Sequence, residues 1–150
     1  MRVVDICNPS VSVAYPGQPL AEAARKLRDQ RVGALIVVEE TDKLRQPIGI
    51  VTDRDVVRRQ LSKSADLYCL LVRDVMTPQP LTLHPEQSLE SAVEALNARG
   101  VRRAPLVNSI GGLVGIISLD DIYPAIVKQM LSLAQLFGLA PKRRPGARAP

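Results

Sequence analysis

The sequence contains an internal repeat, and this repeat constrains the fold more than any single motif does. The pattern Leu20-x-x-Ala23-Ala24-x-x-Leu27 returns 69 residues later as Leu89-x-x-Ala92-Val93-x-x-Leu96. A second pattern, Ile48-Gly49-Ile50-Val51-Thr52-Asp53-Arg54-Asp55, returns 66 residues later as Val114-Gly115-Ile116-Ile117-Ser118-Leu119-Asp120-Asp121. The three-residue difference falls in the polar stretch 39–46, which is typical of a loop. Two such units can bury a shared face, so the repeat predicts two similar halves packed together.

Composition narrows the class of protein. The chain is 46% hydrophobic but only 3% aromatic, without tryptophan, which favours an aliphatic core and not a stacking platform for single-stranded nucleic acid. Cys7 and Cys69 are too few for a disulfide scaffold, so we expect both thiols to be reduced and buried. The sequence has neither a signal-peptide pattern nor an apolar run of about 20 residues. We therefore expect a cytoplasmic protein without a membrane partner.

The net charge of +5 is concentrated at the C-terminus. Four cations follow residue 140 and no acids do, which leaves residues 1–140 with a net charge of about +1. Prolines, glycine and small residues accompany these cations, so we expect a basic disordered tail over 141–150. A tail of this kind gives weak, salt-sensitive association with nucleic acid at most. We do not expect a nucleic-acid partner.

The pattern of apolar residues predicts the order β-α-β-β-α in each half. We predict a first repeat over 1–61, a linker over 62–71, a second repeat over 72–130 and a helical extension over 131–140. Within these, continuous or alternating apolar runs predict strands at 11–14, 34–38, 48–51, 82–83, 105–107 and 113–117. The helical stripes predict helices that start near residues 20, 53, 89 and 120. Pro124 should remove a backbone hydrogen bond from the last of these.

The motif G-h-h-[ST]-x-x-D, in which h is apolar, occurs at the end of each repeat. It is present as Gly49-Ile50-Val51-Thr52-x-x-Asp55 and as Gly115-Ile116-Ile117-Ser118-x-x-Asp121. These motifs, the tandem order of elements and the segment Gly100-Val101-Arg102-Arg103-Ala104-Pro105-Leu106-Val107 resemble the cystathionine β-synthase (CBS) domain over about residues 1–130. The resemblance implies an α/β (α+β) fold of two CBS repeats packed sheet to sheet with pseudo-twofold symmetry. It also implies two clefts between the repeats and a homodimer of such pairs.

Thr52 and Asp55 allow two compatible interpretations. At a helix start, Thr followed by an acid three residues later is a capping box, which stabilises the helix without any ligand. The same helix end offers N–H groups and a positive dipole to a phosphate, and a carboxylate there can accept from both ribose hydroxyls. The resemblance implies the second role, with a phosphate-side hydroxyl at Thr52 and Ser118 and a ribose-binding acid at Asp55 and Asp121.

Other positions complete the predicted ligand sites. Arginine suits phosphate because it presents paired donors and stays charged, although Arg102 and Arg103 could also be a solvated pair. Arg54, inside the first motif, could add a further contact to the ligand, whereas its equivalent Asp120 would repel an anion. Gly33 and Ala34 stand at the positions of the first repeat that are equivalent to Arg102 and Arg103, so we expect unequal clefts. The resemblance further implies that the backbone at Val13 and Thr82 reads the adenine edge. Ile36 and Pro105 are candidates to line the base pocket, although Ile36 could instead pack in the core.

We expect a non-enzymatic regulatory module that binds AMP, ADP or ATP, or S-adenosylmethionine, and acts on an unidentified effector protein. The alternative is an interaction or oligomerisation module with non-binding clefts. Its working surface would be an apolar helical stripe formed by Ile126, Met130, Leu133, Leu136 and Phe137. We predict no metal site, because His84 has only Glu86 as a nearby candidate ligand, and no catalytic residues.

Overall fold

A computed structural model describes residues 1–41, 44–62 and 66–138 of the chain. The elements follow in the order β1 (Val13–Ala14), α1 (Leu20–Gln30), β2 (Ala34–Glu40), β3 (Arg45–Thr52), α2 (Asp53–Ser62), β4 (Thr77–Pro78), α3 (Leu89–Arg99), β5 (Arg103–Val107), β6 (Leu113–Ser118) and α4 (Leu119–Leu136). Two short 3-10 turns, Val3–Asp5 and Val72–Asp74, begin the two halves. The α+β architecture and the tandem order agree with the prediction.

The sheets show that the two halves exchange their leading segments. In the first half β1 pairs in parallel with β2, β2 antiparallel with β3, and β3 antiparallel with β4, which comes from the second half of the sequence. In the second half β5 pairs antiparallel with β6, and β6 pairs at Ile116 with Asn8 from the start of the chain. The two crossings are equivalent, since β4 pairs with Ile50 and Asn8 with Ile116.

The 3-10 turns repeat this exchange. Val3 donates its N–H to the Gln87 carbonyl at 2.9 Å, and Val72 donates to the Gln18 carbonyl at the same distance. Both valine side chains are fully buried. Val3 packs in the core formed by α3, β5 and β6, whereas Val72 packs in the core formed by α1, β2 and β3. Each half therefore needs the leading segment of the other to complete its core.

A third buried layer lies between the two sheets. Val13, Ile36 and Val38 form its buried part, and partly buried side chains from both halves pack on them: Val11, Tyr15, Ile50, Leu113 and Ile116. These side chains alternate with those facing the helices, because successive residues of a strand point to opposite faces. The sheet-to-sheet packing is the predicted one.

The helices begin and end as their sequences indicate. In α1 the predicted stripe is buried at Leu20, Ala23 and Leu27. In α3 the Ser88 hydroxyl accepts the N–H of Ser91, and Gly100 ends the helix with φ of 62°. Gly is favoured there because left-handed backbone carries no Cβ penalty for it. α4 continues through Pro124 without interruption.

Two local predictions are wrong. The predicted strand at 82–83 is reduced to one bridge, between Leu83 and Leu106. Pro80 and Pro85 flank it and lack the N–H groups that a longer ladder needs. Cys69 is exposed, whereas Cys7 is half-buried and burial raises the pKa of its thiol. Both thiols are free, as expected.

The later turns of α4 leave apolar side chains in solvent. Five of these form the predicted stripe, of which Leu136 is 81% and Phe137 76% exposed. Tyr123, Val127 and Leu131 are exposed beside them. None of the helices in the described ranges is long and apolar enough to cross a bilayer. The predicted extension ends beyond the described residues, and the predicted tail at 141–150 lies wholly outside them.

Candidate functional site

A cleft of about 770 Å³, the large cleft, opens where β3 and α2 of the first half meet the second half. A pocket of similar volume, about 790 Å³, lies between α4 and the first residues of the chain and contains none of the predicted site residues. The volume of the large cleft is within the range of small-molecule sites. The cleft brings together five predicted site residues that lie far apart in the sequence: Thr52, Arg54, Asp55, Arg102 and Arg103. Its floor and rim also include residues from both halves: Gly33, Ile50, Asp53, Val57, Arg58, Thr77–Leu81 and Arg99–Val101.

Thr52 and Asp55 form a closed local network at the start of α2. The N–H of Thr52 donates to Asp55 Oδ2 at 2.9 Å, its hydroxyl donates to the same oxygen at 2.7 Å, and the N–H of Asp55 donates to Thr52 Oγ1 at 3.2 Å. This is the capping box that the sequence suggested. Oδ1 of the half-buried Asp55 takes part in none of the hydrogen bonds found among the described residues, and Asp55 lines the cleft. One carboxylate oxygen thus orients the side chain while the other can accept from a ligand.

The first N–H groups of α2 are already bonded. Asp53 donates to the Gly33 carbonyl at 3.4 Å, Arg54 donates to the Asp53 carboxylate at 2.7 Å, and Asp55 donates to Thr52. The Thr52 hydroxyl has a single proton, which the Asp55 carboxylate accepts. In this conformation neither the helix end nor this hydroxyl donates freely to a phosphate, so strong anion donors must come from elsewhere in the cleft.

Arginine side chains supply those donors. Five line the cleft, namely Arg54, Arg58, Arg99, Arg102 and Arg103. Across the described part of the chain, every ion pair within 4.0 Å involves other basic residues. Arg103 is half-buried, and its Nη1 lies 3.4 Å from the place that a Cβ on Gly33 would occupy. The absence of a side chain at Gly33 leaves this guanidinium room beside the first half.

The second motif has the same local geometry in different surroundings. The N–H and hydroxyl of Ser118 both donate to Asp121 Oδ2, at 2.8 and 2.6 Å. Neither residue lines the large cleft. Sequence equivalence places Gln30, Gly33, Ala34, Asp120 and Pro124 at the counterparts of the five arginines. None of these five positions is basic, so the second motif keeps the cap without a counterpart to any of the five arginines.

A smaller pocket of about 220 Å³ marks the counterpart of one end of the cleft. It is lined by Ser10–Val13, Lys26 and Gln30, of which Ser10–Ser12 and Gln30 are equivalent to Gln79–Leu81 and Arg99. Lys26 Nζ donates to the Val13 carbonyl at 2.6 Å, and Ala95 occupies the equivalent position in the second half. The carbonyl of Val13 is thus occupied by a side chain of the protein itself.

The remaining predicted site residues lie apart from the large cleft. Val13, Ile36 and Pro105 are buried, with Ile36 and Val13 in the layer between the sheets. Thr82 is exposed beside Leu81, which does line the cleft. His84 is exposed, and its Nδ1 accepts the N–H of Glu86 at 3.3 Å.

Sequence reasoning missed several cleft residues. Arg58 follows Arg54 by four positions on a predicted helix, and this spacing could have placed both on one face. Arg99 at the end of α3 and Gln79, which has φ of 51°, carried no comparable signal. Gln79 directly follows β4, which pairs with β3 of the first half, and no local pattern indicates this crossing.

The glycines of the two motifs have a structural role. A Cβ on Gly49 would lie 2.5 Å from Met76 Sδ and 3.2 Å from the Thr77 carbonyl oxygen. A Cβ on Gly115 would lie 3.2 Å from the Asn8 carbonyl oxygen. In each half the motif glycine is where the exchanged segment crosses the last strand. This requirement explains the first letter of the motif independently of any ligand.

Comparison with known proteins agrees with this architecture. The family model described as CBS domain matches residues 3–62 and again 72–128. The CBS domain-containing protein YhcV of Bacillus subtilis is 33% identical over 120 residues, covering 80% of this chain and 81% of that protein. The uncharacterised protein MK0525 of Methanopyrus kandleri is 31% identical over 122 residues. That match covers 81% of this chain but 61% of MK0525, and a match to an inosine-5'-monophosphate dehydrogenase of Korarchaeum cryptofilum covers 22% of the enzyme.

Solved structures show the same fold. The CBS domain pair of protein MJ0100, in complex with 5'-methylthioadenosine and S-adenosyl-L-methionine, has a TM-score of 0.74 at 21% identity, covering 86% of this chain and 98% of that one. CBSX2 in complex with AMP has a TM-score of 0.72 at 26% identity, with the same coverage. A structure of CBSX2 from Arabidopsis thaliana without a named ligand has a TM-score of 0.72 at 27% identity, covering 86% of this chain and 96% of that one.

Proposed function

The chain belongs to the CBS domain family as a tandem pair, and we propose that it is a non-enzymatic regulatory module whose large cleft binds an adenine nucleotide. One observation carries the proposal. Asp55, already oriented by Thr52, faces the same cleft as five arginines that are outside the ion pairs found in the described ranges. A free carboxylate oxygen suits vicinal ribose hydroxyls, and the guanidinium groups suit phosphate.

The named complexes of related structures support an adenosine-type ligand. CBSX2 binds AMP, and MJ0100 binds 5'-methylthioadenosine and S-adenosyl-L-methionine. In this chain the arginine lining favours AMP, ADP or ATP over the sulfonium of S-adenosylmethionine, since like charges repel. The alternative site at Ser118 and Asp121 retains the oriented carboxylate but not the arginines.

A ligand in this cleft would contact both halves. Such a ligand can change the angle between the halves only if it binds one arrangement of the halves more tightly than another. The size of the shift is set by that difference in affinity. That change is the signal that we propose an effector protein reads.

Isothermal titration of the intact chain with AMP, ADP, ATP and S-adenosylmethionine tests the proposal. Asp55→Asn keeps an acceptor oxygen for the helix cap but removes the negative charge that would strengthen hydrogen bonds from the ribose hydroxyls. We expect it to weaken nucleotide binding about tenfold, whereas the matched variant Asp121→Asn changes it less than about threefold. The proposal fails if no adenine nucleotide binds the folded wild-type chain at millimolar concentration.

A second function has its own supporting observation, the exposed apolar face of α4. We propose that this face joins two copies of the chain, since seven large apolar side chains of the 18-residue helix and Phe137 directly after it are exposed. The hexameric CBS-CP12 protein from bloom-forming cyanobacteria has a TM-score of 0.72 at 21% identity and shows that the fold is compatible with assembly. If both clefts were non-binding, this association would remain the module's function.

Sedimentation velocity with and without ATP tests this second proposal. Met130→Asp and Leu131→Asp place charges on exposed positions of the face and should convert a dimer to monomer. Lys128→Asp, at an exposed position on the opposite side of α4, serves as the matched control. A wild-type chain that stays monomeric up to about 100 μM, in the range where weak dimers with a Kd near 10 μM would form, contradicts the proposal.

A further inference from the structure

The phosphate-binding capacity of the large cleft lies in its arginines. The helix N–H groups and the Thr52 hydroxyl are committed to internal bonds. Five arginines against two aspartates, Asp53 and Asp55, give the lining a net charge of +3. The guanidinium groups come from three places, namely α2, the end of α3 and the start of β5. A chain of phosphates can contact more of them than a single phosphate can. The lining thus has more cationic donors than a monophosphate can use.

The counterpart positions in the other half of the molecule lack this excess. Among all the positions that are equivalent to lining residues of the large cleft, the charged residues are Arg31, Arg102, Asp120 and Asp121. Their net charge is zero. Lys26 adds a cation nearby, but its ammonium donates to the Val13 carbonyl. The duplicated cap is therefore found once beside a cationic cleft and once in surroundings without net charge.

From these two observations we infer that the large cleft selects a nucleoside di- or triphosphate over a monophosphate, and that one such polyphosphate binds per chain. The inference rests on the proposed function for the nucleoside part of the ligand, and on the arginines alone for the phosphate part. Arg102 and Arg54 contact the phosphates beyond the first. Asp120 repels a second polyphosphate from the counterpart site.

Calorimetry with AMP, ADP, ATP and inorganic tripolyphosphate tests the inference on the intact chain. We expect ATP to bind at least about tenfold more tightly than AMP, which corresponds to about 1.4 kcal/mol, with ADP between them and one ATP per chain. Raising the salt concentration should weaken ATP binding more than AMP binding, because screening acts on each added charge. Equal affinities for AMP and ATP, or two ATP molecules per chain, overturn the inference.

The double variant Arg54→Ala/Arg102→Ala removes two exposed guanidinium groups without disturbing the core. We expect ATP affinity to fall about tenfold and AMP affinity by less than about threefold. Arg73→Ala is the matched control, since Arg73 is exposed and does not line the cleft. A double variant that loses AMP and ATP binding equally contradicts the inference, and unchanged thermal melting shows that the variants are folded.

Tripolyphosphate separates this inference from the proposed function. If tripolyphosphate binds as tightly as ATP and Asp55→Asn changes neither, the cleft is a polyphosphate site and the adenine-nucleotide proposal fails. If AMP binds as tightly as ATP and tripolyphosphate does not compete, the nucleotide proposal holds and the polyphosphate inference fails.

Discussion

The two halves keep the same backbone at their motifs but differ in the side chains around them. Thr52–Asp55 and Ser118–Asp121 make the same pair of bonds to one carboxylate oxygen, within 0.1 Å of each other. Around the first pair stand five arginines, and their counterparts include an aspartate, a glycine and an alanine. The comparison teaches that the motif itself mainly caps a helix and orients an acid. Ligand preference depends on the residues around it.

The largest expected effect concerns a feature that the two halves share, the crossing of the exchanged segment over the motif glycine. Gly49→Ala should lower the free energy of unfolding by about 1–3 kcal/mol, since the added Cβ overlaps Met76 and approaches the Thr77 carbonyl. Gly115→Ala should cost less, because its nearest contact is 3.2 Å rather than 2.5 Å. Urea denaturation measures both. Gly17→Ala, with nothing within 4 Å of the added Cβ, is the control. Equal stability of all three variants would show that the crossings are not tightly packed.

Exchanging one charge between the halves sharpens the comparison of the clefts. Asp120→Arg gives the second motif the residue of the first, and tripolyphosphate binding at the counterpart site should strengthen a few-fold, as expected for one exposed charge. Arg54→Asp should weaken binding at the large cleft by a similar or greater factor. Asp120 lies in the first turn of α4, so its loss should also lower the melting temperature slightly. Titration calorimetry that finds identical binding in wild type and both variants would contradict the role of these charges.

The smallest expected effect concerns the two 3-10 turns. Asp5 accepts from the N–H of Arg2 and pairs with its guanidinium, and these bonds lower the pKa of the Asp5 carboxyl. Its stabilising contribution is therefore present above about pH 4 and is lost as the pH falls through the lowered pKa. At the equivalent place Asp74 accepts from the N–H of Leu71, where leucine replaces the arginine.

Asp5→Asn should thus destabilise the chain slightly at pH 7, and the difference from wild type should vanish towards pH 2. Thermal melting across this range measures it. A difference that persists unchanged at low pH would mean that the carboxylate charge is not responsible.

Much of the fold follows from local patterns in the sequence. The buried stripe of α1, the Gly100 cap of α3 and the apolar runs of β2 and β6 are all where the periodicity places them. These features depend on neighbours within one or two turns, which a sequence displays directly. The exchange of leading segments does not follow from local patterns, because it rests on backbone hydrogen bonds such as the one from Val3 to Gln87. Every residue other than proline offers the same backbone groups, so these hydrogen bonds carry almost no sequence signal.

The candidate site divides in the same way. The motif and the pair Arg102 and Arg103 could be predicted because they form short patterns. The convergence of Arg58 and Arg99 on that pair could not, since it needs the relative placement of two helices from different halves. The commitment of the α2 N–H groups to internal acceptors also required the structure, because the Gly33 carbonyl that one of them uses lies 20 residues away.

Crystallography of the chain with ATP tests the central claim most directly. We predict one ATP per chain, with its ribose at Asp55 and its phosphates among Arg54, Arg102 and Arg103. ATP bound instead at Ser118 and Asp121, or bound equally at both motifs, would contradict the account.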